Sequence, residues 1–262
     1  MSSTSLWARA GGRVVPSVFT RGPWDPGLLH GGAVGALLAE LAQERMDPDF
    51  VPVRLTVDLM KPVPLQPMTA DVEVLRKGRR LQLLESELRF GEALVAKASL
   101  LALRPVPFDG GGMNPPLAPP PDSPDDADPM PWGSDPDVES FIGGGQEFRV
   151  LPSPALGAGV GWFRLARPVL DDGAAPSPLA RAAAAADVSG AVSARHTERL
   201  AELSFINADF SVHLARAPEG DWIRLASTSR WGANGVGSVV TELGDAMGDF
   251  GTASQALVLD SS

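Results

Sequence analysis

The organisation of this chain is clearest in residues 178–194, PLARAAAAADVSGAVSA. Alanine is the strongest helix former, and a helix that is apolar on nearly all sides is predicted to lie inside a protein. Its one carboxylate, Asp187, shares a face with Ala183, Gly190 and Ala191 and is therefore expected to point at a packed neighbour. Buried ionised groups are costly unless hydrogen-bonded, and they cluster at functional sites. The alternative is an exposed Asp187 near a frayed helix end.

A second helix and two groups of strands surround this segment. The loop Thr20–Gly32 leads into an apolar segment, Ala33–Arg45, which we predict to be helical with glycines at its start. Alternation of apolar and polar residues predicts strands on both sides of a Pro-rich central stretch. The predicted strands are 52–65, 70–76, 81–90, 94–103, 146–150, 161–168, 204–216, 222–230, 236–244 and 252–259.

The same order of elements occurs twice at one constant spacing. A long period in two copies indicates a duplicated domain. We predict an N-terminal domain at 1–104, a Pro/Gly/Asp-rich linker at 105–138 and a C-terminal domain at 139–262. Pairs that lie 155 residues apart are Val57 and Val212, Lys61 and Arg216, Glu87 and Glu242, and Ser99 and Ser254.

Alignment of the two copies at the 155-residue spacing shows which polar residues only the second copy carries. Asp187 falls on Gly32, and Gln255 falls on Leu100. Gln255 shares the apolar face of its strand, so we expect a buried amide that needs partners. Asn207 is a third candidate, although strict alternation puts it on the opposite face unless a bulge intervenes. An Asp held by amides next to water is suited to general base catalysis.

Two further stretches could bind parts of a substrate. His30, Gly31 and Gly32 end a loop at a helix N-terminus, whose free N–H groups could polarise a carbonyl, although the glycines could serve only a tight turn. A basic run could hold phosphates, or it could be a solvated hairpin tip, which we favour slightly. It consists of Arg76, Lys77, Arg79 and Arg80 around Gly78.

The composition narrows the possible functions. The chain has 262 residues, a formal net charge of -10, no cysteine and no tyrosine. The acidic balance argues against nucleic acid or an anionic membrane as partner. No His or carboxylate cluster has metal-ligand spacing, no nucleotide-binding glycine motif occurs, and no run is long enough to span a membrane. We therefore expect a cytoplasmic protein without a cofactor or metal.

Together these features resemble the acyl-CoA thioesterase II family. The resemblance rests on the order of four segments, GPWDPGLLHGGAVGALLAE, LTVDLMKPVP, NADFSVHLARAPEGDW and GTASQALVL. It implies an α+β double hotdog: two tandem repeats, each a long helix wrapped by an antiparallel sheet, with the sheets joined side by side. By position it also implies Asp187, Asn207 and Gln255 as the residues that activate water, with Asn in place of the family's hydroxyl residue.

The expected function is hydrolysis of acyl-CoA thioesters to free fatty acid and CoA in fatty acid metabolism. The acyl chain is expected in an apolar tunnel between helix and sheet, and open sheet edges favour a homo-oligomer, a dimer or higher. One alternative is a non-catalytic protein that binds acyl-CoA or another apolar ligand. Another is an enoyl-thioester hydratase, which needs a paired Asp and His that neither His196 nor His213 is predicted to provide.

Overall fold

The computed structural model of the protein describes residues 4–109, 117–130, 138–153, 155–194 and 203–261. Helix α1 spans Gly31–Arg45 and helix α2 spans Pro178–Ala194. The strands are β1 (Trp7–Ala10), β2 (Arg13–Pro16), β3 (Val51–Leu59), β4 (Thr69–Lys77), β5 (Leu81–Phe90), β6 (Ala93–Leu103), β7 (Asp128–Pro129), β8 (Gln146–Val150), β9 (Ala158–Leu165), β10 (Leu203–Asn207), β11 (Asp209–Leu214), β12 (Ile223–Trp231), β13 (Val236–Asp245) and β14 (Gly248–Ser261).

Most of the strands belong to one 12-stranded antiparallel sheet. Its order is β4-β5-β6-β3-β11-β14-β13-β12-β9-β8-β7, and β10 also pairs with β14. The first-half and second-half strands meet where β3 pairs with β11. At this joint Thr56 Oγ1 lies 3.0 Å from Ser211 Oγ, and the two residues are 155 apart in the sequence. Equivalent residues that pair with each other mark an approximate two-fold axis between the repeats.

Both helices lie on the inner side of the sheet and pack against each other. In α2 every side chain from Leu179 to Ala194 except Arg181 is buried. Small residues permit this close packing: a Cβ on Gly159 of β9 would overlap the carbonyl oxygen of Val192. The two helices and the large antiparallel sheet agree with the architecture that the resemblance implies.

A carboxylate of α1 contacts the beginning of α2. Oε2 of Glu40 accepts a hydrogen bond of 3.0 Å from the backbone N–H of Ser177, directly before α2. A carboxylate is favoured at a helix N-terminus because of the free N–H groups and the helix dipole. Burial nevertheless raises the pKa of Glu40 above its ordinary value, although the hydrogen bonds from Ser177 lower it in part.

Some strands differ from the prediction. β3 ends at Leu59, before Pro62 and Pro64, whose missing N–H groups cannot extend a ladder. The strand predicted at 204–216 is interrupted at Ala208. Strands β1 and β2 form a hairpin that the sequence did not predict, and the indole N–H of Trp7 in β1 donates to the carbonyl oxygen of Ala33 over 3.0 Å.

Part of the segment predicted as a linker packs on the second half. β7 pairs with β8, and the side chain of Asp122 lies between Arg224 and Trp162. Its carboxylate accepts from Arg224 Nη2 over 2.7 Å and from the indole N–H of Trp162 over 2.8 Å. A segment with little apolar area is thus held by hydrogen bonds to a folded neighbour.

Neither helix in the described part of the chain has the length and apolar character needed to cross a membrane.

Candidate functional site

Asp187 lies on α2 with its carboxylate turned towards the beginning of α1. The residue is only 8% exposed. Nδ2 of Asn207 donates to Oδ1 of Asp187 over 2.6 Å, and Nδ1 of His30 lies 2.9 Å from Oδ2. The carboxylate is therefore buried with a polar partner at each oxygen, which is what a buried charge requires.

Asn207 reaches Asp187 because the strand changes register at Ala208. In β10, Asn207 is opposite Leu257, whereas in β11, Ser211 is opposite Ser254. One residue is therefore extra between the two strands, and such a bulge moves the following side chains to the other face. The bulge that strict alternation required for an inward Asn207 is present.

Gln255 of β14 has a fixed orientation beside Asp187. Its Nε2 donates to the carbonyl oxygens of Ala186 over 2.6 Å and of Asp187 over 2.7 Å. A flipped amide would set its oxygen against two carbonyl oxygens, so Oε1 must point away from the helix backbone. Gln255 is 4% exposed, and none of the described residues donates a hydrogen bond to Oε1. A buried acceptor of this kind needs a hydrogen-bond donor besides those residues.

His30 precedes α1 as its N-cap residue. Its Nδ1 lies 3.1 Å from the backbone N–H of Gly32, which donates to it, and its ring packs 4.7 Å from that of Phe141. Nδ1 can accept from Gly32 only when it carries no proton. Unprotonated Nδ1 can form a hydrogen bond with Asp187 only if the carboxyl group carries the proton. A protonated Nδ1 can donate to Asp187, but it can no longer accept from the N–H of Gly32. Nδ1 therefore lies within hydrogen-bond distance of both the Gly32 N–H and the Asp187 carboxyl group.

Gly31 and Gly32 leave room for this carboxylate. A Cβ on Gly31 would overlap Oδ1 of Asp187 and would lie 2.9 Å from Leu59 Cδ1. A Cβ on Gly32 would lie 3.1 Å from Oδ2 of Asp187. The glycines are required here because the acid of α2 contacts the first turn of α1.

The polar groups surround one small cavity of about 70 Å³. The volume suits one or two water molecules or a few atoms of a substrate. The exposed side chain of Trp24 lies at its rim. The lining residues are Pro23, Trp24, His30, Asp187, Val188, Gly190, Ala191, Phe205, Asn207, Gln255 and Leu257.

The equivalent position in the first half is filled. Gly35 and Gly190 are 155 residues apart, and each leaves space beside its helix. A Cβ on Gly35 would overlap the ring of Phe210, whereas a Cβ on Gly190 would lie 3.0 Å from Gln255 Oε1. Leu100, the counterpart of Gln255, is completely buried. Of these two equivalent positions, the one in the second half therefore faces a polar cavity.

The basic run is not beside this cavity. Lys77 Nζ lies 3.4 Å from Asp47 Oδ2, just after the end of α1. Because α1 has 15 residues, its two ends are roughly 20 Å apart at 1.5 Å per residue. The structure does not bring Arg76, Lys77, Arg79 and Arg80 to Asp187.

Sequence reasoning did not find two parts of the site. Phe141 supports His30 from a loop before β8, and Trp24 lies at the cavity rim. Neither residue belongs to a periodic pattern, so no local signal marks its position. His213 is exposed on the outer face of β11, as expected, and His196 lies outside the described residues.

The comparisons with known proteins agree on one class of fold. A structure from Alicyclobacillus acidocaldarius with a hot dog fold matches with a TM-score of 0.72 at 15% identity, covering 100% of this chain and 97% of that chain. A candidate thioesterase from Novosphingobium aromaticivorans DSM 12444 gives a TM-score of 0.75 at 24% identity, covering 98% and 99%. A candidate thioesterase II from Thermobifida fusca YX gives 0.73 at 18%, covering 99% and 96%. The fold is a hotdog fold.

The family is identified by matches of the sequence to two domain families. Residues 20–103 match the acyl-CoA thioesterase N-terminal domain, and residues 118–259 match the acyl-CoA thioesterase C-terminal domain. These two matches cover most of the chain, and the protein belongs to the acyl-CoA thioesterase family. A search of curated proteins finds no match.

Proposed function

We propose that the protein hydrolyses acyl-CoA thioesters to free fatty acid and CoA, with a water molecule activated by Asp187. The observation that carries the proposal is the pair of acceptors at the cavity, the Asp187 carboxylate and Oε1 of Gln255, to which none of the described residues donates. A water molecule that donates one hydrogen to each would keep a lone pair free for the thioester carbonyl. Such a general base contributes about 10²–10⁴ to the rate.

In this mechanism Asn207 and His30 act on Asp187. Asn207 would hold Oδ1, while His30 would accept a hydrogen bond from the carboxyl once it has taken the proton of water. The oxygen of water bonds to the carbonyl carbon, the C–S bond breaks, and the proton passes from Asp187 to the sulfur of CoA. The Gly31 amide, which donates to none of the described residues, is the proposed donor to the carbonyl oxygen.

The test is thiol release from acyl-CoA by the Asp187→Asn variant. We expect at least about a 100-fold loss in kcat, since the amide cannot accept a proton. Asp58→Asn is the matched control, because Asp58 is half exposed and pairs with Lys97 over 3.9 Å on the outer face. Full activity in Asp187→Asn would exclude the mechanism. Tight acyl-CoA binding by the wild-type protein without turnover would favour the non-catalytic binding function instead.

One observation favours a second candidate, hydration of a 2-enoyl thioester. This reaction needs a paired Asp and His, and the contact between His30 and Asp187 is such a pair. The oxygen of water would bond to C3 of the substrate, its proton would go to the pair, and a proton from the pair would go to C2. Mass spectrometry separates the reactions: hydration adds one water to the intact thioester, whereas hydrolysis releases CoA.

A further inference from the structure

The volume of the cavity limits the size of the acyl group that it can hold. Its volume is about 70 Å³. A cavity of about 150 Å³ holds one benzene molecule, which has six heavy atoms, so this cavity has space for about three. The attacking water takes part of that space.

Helix α2, which carries Asp187, packs closely against the sheet. α2 touches the backbone of β9, where Gly159 contacts the carbonyl of Val192. The residues Ala182–Ala186 of α2 are completely buried. At this contact helix and sheet touch directly and leave no space for an acyl chain.

A thioester has two arms, and only one of them can enter such a cavity. The CoA arm is long and charged, so it must leave past the rim, where Trp24 is 65% exposed. The acyl arm is therefore the enclosed one. We infer that the protein acts on thioesters of short acyl groups, of about two to four carbon atoms. The inference rests on the proposed hydrolase function.

We expect Phe205 to limit the space for the acyl group. Phe205 lines the cavity, and its ring lies 6.1 Å from the ring of Trp231, which is not among the lining residues. On the helix side, a Cβ on Gly190 would lie 3.8 Å from Phe205 Cε2. A smaller residue at 205 would extend the cavity towards Trp231 and admit longer chains.

The test compares kcat/KM for acetyl-, butyryl-, hexanoyl- and dodecanoyl-CoA. We expect the highest values for acetyl- and butyryl-CoA and values at least about tenfold lower from hexanoyl-CoA upwards, since the extra carbons find no space. Phe205→Ala should raise the hexanoyl value relative to the acetyl value at least about tenfold. Phe205→Leu is the milder variant if Phe205→Ala does not fold. Phe108→Ala, at a residue 80% exposed, should leave the ratio unchanged.

The outcomes separate the inference from the function on which it rests. A kcat/KM that rises through dodecanoyl-CoA would overturn the short-chain inference and leave the hydrolase intact. Absence of hydrolysis at every length would overturn the hydrolase. Calorimetric binding of S-alkyl-CoA thioethers would then still test which acyl chain length the cavity accepts. Tighter binding of S-ethyl-CoA than of S-dodecyl-CoA supports a short acyl position, and the reverse order overturns it.

Discussion

Gly32 and Asp187 occupy equivalent positions in the two repeats and lie against each other. A Cβ on Gly32 would lie 3.1 Å from Oδ2 of Asp187. The approximate two-fold axis thus passes near this pair, as it does near Thr56 and Ser211. Two carboxylates at such a position would face each other, and one of them would be hard to ionise. The geometry therefore explains why only one copy carries the acid.

The first prediction concerns the contact between the glycines and the acid. Gly31→Ala should displace the Asp187 carboxylate, because the new Cβ would overlap Oδ1 and press on Leu59. We expect a loss of activity and a decrease of about 1–3 kcal/mol in the free energy of unfolding. Gly27→Ala in the same loop is the control, since its Cβ would meet only the side chain of Asp25, at 3.3 Å. A fully active Gly31→Ala protein would contradict the placement of Asp187.

The second prediction separates two roles of His30. In His30→Asn the side-chain oxygen can still accept from the Gly32 N–H, so the helix cap is kept, but no ring nitrogen remains beside the Asp187 carboxyl group. We expect stability close to that of the wild type and a kcat about 10–100-fold lower. His30→Ala should lose in addition about 1 kcal/mol of stability with the cap. A wild-type kcat in His30→Asn would show that His30 serves only as the N-cap of the helix.

The sequence predicted the secondary structure around the site more completely than it predicted the contacts within the site. Residues 178–194 are helical as predicted, because Ala-rich composition is a local property. The inward position of Asn207 depends on the register shift at Ala208, which alternation alone cannot locate. The support of His30 by Phe141 joins residues more than a hundred positions apart, in a stretch without periodicity. The repeat likewise matched Gly32 with Asp187 but did not show that they touch.

The third prediction concerns Glu40, whose pKa is raised by burial. An acid with a raised pKa in the folded state favours folding in its protonated form, so stability falls as the pH rises from the unfolded-state pKa to the folded-state pKa. Glu40→Gln keeps an oxygen that can accept from Ser177 and removes the buried charge. We expect a gain of about 1 kcal/mol at pH 7 and none at pH 3.

Thermal melting of both proteins across this pH range checks the third prediction. Glu73→Gln on an exposed position of β4 is the control and should leave the melting temperature unchanged at both pH values. A lower melting temperature for Glu40→Gln at pH 7 would mean that the charge at the beginning of α2 outweighs its burial.

The fourth prediction concerns the buried ion pair of Asp245 and Arg216. Asp245 is 1% exposed and accepts from Arg216 Nη1 over 2.6 Å and from Nη2 over 2.8 Å. Backbone N–H groups of Glu219 and Met247 each donate to it over 2.8 Å. Burial alone would raise the pKa of Asp245, but these donors together lower it below the ordinary value.

A lowered pKa fixes the direction of the pH dependence. The contribution of Asp245 is complete above its unfolded-state pKa and is lost as the pH falls through its folded-state pKa. Asp245→Asn removes the carboxylate that binds both Nη atoms of Arg216, and we expect a loss of about 3 kcal/mol near pH 7. Urea denaturation at several pH values should show this difference shrinking below about pH 4. Asp71→Asn, at an exposed residue of β4, should show no such trend, and a constant difference for Asp245→Asn down to pH 3 would contradict the assigned role of its charge.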